Sequence, residues 1–201
     1  VFAGTKAFLA ANNPENVTVL ALFENEEIGS LTRQGACSPF LKEVLHRICL
    51  SLGRSEEEEL RAIAQGFMLS ADNAHAVHPD SPEKSDPTNR CYLNGGVVVK
   101  HSPRYASDAL TAGIFQKICQ KAGVPVQVYY NNSQIPGGGT LGNASGAQVA
   151  LPTVDIGLPQ LSMHSPYETA GAKDLDYMVW AMKAFYESVL VQTGRDVYSL
   201  R

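Results

Sequence analysis

Residues 17 to 30 read VTVLALFENEEIGS: seven mostly apolar residues run into three acids and then turn through Gly29-Ser30. Val17 to Phe23 has the β-branched and aromatic content of a buried strand. Glu24, Glu26 and Glu27 crowd its carboxyl end, with Asn25 among them. Like charges this close repel one another. The corner is therefore either a solvated acidic loop or the seat of a positive charge, and composition alone leaves both open.

Upstream, Val1 to Ala11 has the pattern of an amphipathic helix, with neither a cap nor an initiator Met. That opening predicts that the chain is part of a longer protein. Downstream, Ser38-Pro39 starts a helix over residues 38–52. Ser55 with four following glutamates starts another, its acids solvated in a first turn that the helix dipole favours. Strands are predicted over 67–71, 96–100, 124–130 and 153–158. Helices are predicted over 106–122, after the glycine-rich Pro136 to Thr140, and from Tyr167 to Val191. Residues 73–92 are polar and too long for a simple connection, which marks them as a functional loop.

Strands alternating with helices indicate an α/β three-layer sandwich with a mostly parallel central sheet flanked by helices. The 201 residues, 44% of them hydrophobic, are enough for one substantial core. A net charge of -4 argues against a nucleic-acid surface, which would need clustered Lys and Arg. No apolar run approaches the roughly 20 residues of a membrane span. Cys37, Cys49, Cys91 and Cys119 lie far apart with no Cys-x-x-Cys, the usage of a reduced, cytoplasmic protein.

In α/β sheets, ligands gather beyond the carboxyl ends of strands. Glu26, Glu27, Asp72 and Lys100 are predicted to lie there, and His164 follows another strand. Carboxylates with an imidazole and no thiolate suit Zn2+, Mn2+ or Co2+ in a hydrolytic site. Neighbours in extended chain point opposite ways. Glu26 and Glu27 would then divide the labour, one holding the metal and the other acting as general base. His75 and His78 look like a metal cluster but read better as hydrogen-bonded loop residues, and His46 and His101 as structural. The stretch Pro136 to Thr140 lacks the Gly-Lys-Ser/Thr ending of a phosphate loop. It suits a turn that lets a ligand approach the backbone closely.

Five stretches, taken in order, resemble one family. They are Glu24 to Ser30 (ENEEIGS), Ser70 to Pro79 (SADNAHAVHP), Arg104-Tyr105-Ala106, Gly138 to Gly142 (GGTLG), and Thr153 to Gly157 (TVDIG) running into Pro159 to Ser165 (PQLSMHS). The family is the aspartyl aminopeptidase / aminopeptidase I family of dinuclear zinc metallopeptidases, whose fold is zinc-peptidase, phosphorylase/hydrolase-like. The resemblance implies that Glu26 is the catalytic base, that Glu27 and His164 hold one zinc, and that Asp72 holds the other. It makes His75 a substrate contact, against the structural reading above. Lys100 and Tyr105 would line the substrate pocket, the ammonium pairing with an acidic N-terminal side chain. Gln134 and Gly138 fall on the substrate side, Gln134 where the family usually carries an acid.

The same resemblance implies peptide substrates, two Zn2+ per site with Co2+ or Mn2+ as alternatives, and a homo-oligomer, typically a dodecamer. It places a bridging Asp, a further His ligand and a dimerisation insert upstream of Val1, with residues 1–201 forming the remainder of the catalytic domain. The reading is a metallo-aminopeptidase that prefers acidic N-terminal residues. Its rivals are a broad or neutral aminopeptidase of the same superfamily, a non-catalytic assembly or shell protein of the same fold, and a fragment acting as a binding module.

Overall fold

The structure is a computed structural model that describes residues 1–12 and 15–201. Helix α1, Phe2–Ala10, opens the chain. After it, α2 (Phe40–Ser51) and α3 (Glu56–Gln65) lead to β1 (Met68–Ala71) and the short β2 (Ala74–His75). Strand β3 (Val97–His101), helix α4 (Ala109–Ala122) and strand β4 (Val126–Tyr130) follow. Helix α5 (Leu141–Gln148) and strands β5 (Thr153–Gly157), β6 (Pro159–Leu161) and β7 (Thr169–Ala170) precede α6, Ala172–Glu187. The hairpin β8 (Leu190–Gly194) and β9 (Val197–Leu200) ends the chain.

Four strands form the central sheet in the order β1-β5-β3-β4. β1 pairs in parallel with β5 and β3 with β4, while β3 and β5 meet antiparallel. Because strand side chains alternate between faces, Val97, Val99, Val154 and Ile156 all face one way. They meet Ala3, Ala7, Phe115, Cys119, Met178, Ala181 and Met182 from α1, α4 and α6 in the main core. Val98, Lys100 and Asp155 face the other way, where Ala74, Cys91 and Tyr129 form a smaller cluster and α5 packs through Gly142. Helices thus flank a mixed, mostly parallel sheet in three layers.

Local chemistry explains the helix ends. Ser55 Oγ accepts from the Glu58 amide while the Glu58 carboxylate accepts from the Ser55 amide, a reciprocal cap on α3. Asp108 caps α4 in the same way through Thr111, and Gly123, at φ 68°, ends it.

Several predictions differ from the structure, among them the start of α4, which is Ala109 and not residue 106. Residues 17–23 belong to none of the strands among the described residues, and Val17 is 80% and Leu22 50% exposed. Apolar, β-branched sequence favours extended backbone, but a strand exists only when a neighbour supplies the ladder. The closing helix runs from Ala172 to Glu187 rather than from Tyr167 to Val191, because Thr169-Ala170 pairs as β7 and Val191 lies in the hairpin. Of the four glutamates that open α3, Glu59 is buried, its Oε2 2.6 Å from His46 Nδ1, which ties α3 to α2.

A second, smaller sheet prolongs the first. β1 continues into β2 and β5 into β6, and these continuations pair in parallel, with β7 antiparallel on β6. The Asp72 amide donates to Ile156 O, the Ala74 amide to Leu158 O and the Ala76 amide to Gln160 O. This double ladder carries Asp72, His75 and the turn holding His164 to one end of the sheet.

Candidate active site

Glu26 and Glu27 lie in a single 3-10 turn, Glu26–Ile28, and not in extended chain. Asn25 enters it at φ 60°, its amide donating to Thr32 Oγ1 at 2.9 Å, and Gly29 leaves it at φ 97°. With three residues per turn, adjacent side chains diverge by about 120°. The two acids are therefore still separated, though by a turn rather than by strand alternation. Glu27 faces outward with its Oε2 2.8 Å from His164 Nε2, both side chains largely exposed. Glu26 is half-buried and feels Asp72, Glu27, Lys100 and His164. Partial burial, with Asp72 and Glu27 adding to it, raises its pKa above the ordinary carboxyl value, while Lys100 and His164 oppose.

His164 reaches Glu27 from a strained turn. Its φ is 67° and that of Ser162 is 56°, a left-handed conformation that costs a non-glycine residue of order 1 kcal/mol or more. The Glu168 carboxylate accepts from the His164 amide at 2.7 Å and steadies the turn. Glu27, His164, Ser165 and Glu168 line an open depression of about 500 Å³.

Asp72, directly after β1, stands apart from this pair. Its Oδ2 is 3.5 Å from Lys100 Nζ, which also donates to Asp72 O at 3.0 Å and Asn73 O at 3.2 Å. Lys100 lies within β3, not beyond a strand end as predicted, and is 1% exposed. Its ammonium sits 5.4 Å from the centre of the Tyr105 ring. Burial lowers its pKa, and Asp72, Asp155 and Glu26 pull the other way. His75, in β2, has its imidazolium disfavoured by surrounding protein and by His164 and Lys100, with Asp72 opposing. Gln134 and Gly138 are exposed loop positions. No hydrogen bond or ion pair joins either residue to Glu27 or His164 among the described residues.

The donor chemistry fits a divalent cation at the Glu27–His164 pair, where a carboxylate oxygen and an imidazole nitrogen converge. Asp72 belongs to a separate position beside Lys100. Among the described residues no three His, Cys, Asp or Glu side chains form one metal-holding group.

The model for Aminopeptidase I zinc metalloprotease (M18) matches residues 1–186. The chain belongs to the M18 aminopeptidase I family of zinc metalloproteases. A Clostridium acetobutylicum protein named Probable M18 family aminopeptidase 2 is 44% identical over 188 residues, covering 92% of this chain and 43% of its own length. The M18 aminopeptidase structure from Thermotoga maritima superposes with a TM-score of 0.84 at 26% identity, over 92% of this chain and 43% of that one. The S. cerevisiae mApe1 dodecamer superposes with a TM-score of 0.77 at 30% identity, over 92% and 42%. This chain thus spans less than half the length of these M18 relatives.

One buried acid in the M18 fold escaped the sequence reading. Asp155 is wholly buried. Its signal was present in Thr153-Val154-Asp155-Ile156-Gly157, a carboxylate in the middle of a buried strand, which persists only where partners satisfy it.

Proposed function

We propose that this chain carries hydrolytic machinery of a metallo-aminopeptidase that cleaves the N-terminal residue from peptides. The observation that carries this reading is the Glu26–Glu27 turn, with Glu27 2.8 Å from His164 and Glu26 held inward beside Asp72. Glu27 and His164 would hold one zinc and Asp72 would take part in holding a second, with further donors supplied by protein outside residues 1–201. When bound, zinc supplies Lewis acidity that polarises the scissile carbonyl and eases deprotonation of water. Glu26 accepts the water proton and returns it to the departing amine, a role suited to a carboxylate whose pKa is pushed upward. His75 and Tyr105, beside Asp72 and Lys100, would contact the substrate. Gln134 and Gly138 would border it from the glycine-rich loop.

Acidic N-terminal residues are the proposed preference, with the Lys100 ammonium as the attracting charge. A broad preference is the second reading, favoured by Lys100 being 1% exposed with its donors turned to Asp72 and Asn73. Relatedness to the mApe1 dodecamer supports a homo-oligomeric assembly for the whole protein.

Hydrolysis of chromogenic Asp, Glu, Leu and Lys substrates, with and without added zinc, tests the proposal. The expected result is zinc-dependent cleavage, fastest for Asp and Glu, lost on chelation and in Glu26→Gln. Activity that survives both treatments rejects it.

A further inference from the structure

The Asp155 carboxylate, 0% exposed, divides its two oxygens between two different loops. Oδ2 accepts from the Ala106 amide at 2.6 Å and Oδ1 from Thr140 Oγ1 at 2.7 Å. The Asp155 amide in turn donates to Ser107 Oγ at 2.8 Å. Residues 102–107 carry Tyr105, and residues 136–140 form the glycine-rich turn before α5. Gly142, at the start of α5, has no Cβ, and one placed there would lie 2.6 Å from Asp155 Oδ1. The close approach of helix and acid therefore depends on this glycine.

A buried carboxylate is tolerated only when its oxygens are satisfied and its charge is offset. The Ala106 and Thr140 donors satisfy the oxygens, and Lys100, on the same face of the sheet, offsets the charge. Because Asp155 lies inside β5, hydrogen-bonded between β1 and β3, its position is set by the central ladder. The two loops, by contrast, belong to no strand or helix where they touch it.

We propose that Asp155 is a positioning residue that anchors the Tyr105 loop and the glycine-rich loop to the central sheet, so that their spacing on the substrate side of the site is set by one carboxylate. Its catalytic consequence rests on the aminopeptidase reading, whereas the anchoring itself does not.

Amide hydrogen exchange of the protein reads the anchoring directly. Thr140→Val should speed exchange over residues 137–141 about fivefold, the worth of one net hydrogen bond, and leave residues 104–107 unchanged. Thr140→Ser should restore it. Asp155→Leu should loosen both loops. Asp155→Asn should hold both, its amide oxygen accepting from Ala106 and its amide nitrogen donating to Thr140. In hydrolysis, Thr140→Val should raise KM about fivefold on the same hydrogen-bond argument, with kcat unchanged. Wild-type exchange at 137–141 in Thr140→Val overturns the proposal, as does an Asp155→Leu protein in which neither loop loosens. Should Asp155→Leu fail to fold, the Thr140 pair decides the matter alone. Wild-type protein that cleaves no aminoacyl substrate defeats the proposed function, and exchange still decides the anchoring.

Discussion

Lys100 shows how one side chain can serve two masters in this fold. Its ammonium is buried against the Asp72 carboxylate and two carbonyls at the end of β1. Removing the ammonium leaves the wholly buried Asp155, as well as the partly exposed Asp72, uncompensated. Lys100→Met should therefore destabilise the protein by about 3 kcal/mol in chemical denaturation. The same variant separates the two specificity readings: an unchanged ratio of Asp to Leu hydrolysis removes Lys100 from substrate choice. At the protein surface, Asp86 accepts from the Asn89 and Thr88 amides and from both side chains. These bonds, the Asn89 amide first, lower its pKa to about 2 from the usual 3.8. A depressed folded pKa means that its contribution is present above 3.8 and is lost as pH falls toward 2. The Asp86 carboxyl carbon should titrate near 2 by NMR, and Asp86→Asn should abolish the acid-induced loss of protection at Thr88 and Asn89.

At the scale of elements, helix caps and strand periods were legible because they are local. Ser55, read from the sequence as a helix start, caps α3 through Glu58, and Ser55→Ala should lower stability by about 1 kcal/mol. Phe115, wholly buried between α4 and the sheet, is a long-range matter, and Phe115→Ala should cost about 3–5 kcal/mol. Gly142→Ala would drive a methyl group into the Asp155 carboxylate. It should destabilise more than Gly146→Ala, a change on the same helix that meets open space; thermal melts of the two variants make the comparison. The strand predicted over residues 17–23 illustrates the converse. Its composition is strand-like, but pairing is a property of two segments, and no described strand pairs with it.

Across the whole molecule, Glu27 and His164 lie far apart in sequence and meet only through the fold. On the proposed reading, a cation held by both would tie the 26–28 turn to the 162–165 turn. Chelation should therefore lower the melting temperature as well as activity, and His164→Ala should make the melt insensitive to chelator. Sedimentation of the full-length protein checks the proposed assembly, for which a monomer at working concentration is the contrary result.

The sequence by itself determined the α/β class, the central strands and the family the chain belongs to, because periodicity and short motifs are written in neighbouring residues. Only the tertiary structure decided that Glu26 and Glu27 occupy a 3-10 turn, that Lys100 is buried against Asp72, and that Asp155 holds two loops. Those facts depend on burial and on contacts between residues distant along the chain, where a charge is tolerated only once its partners have been folded around it.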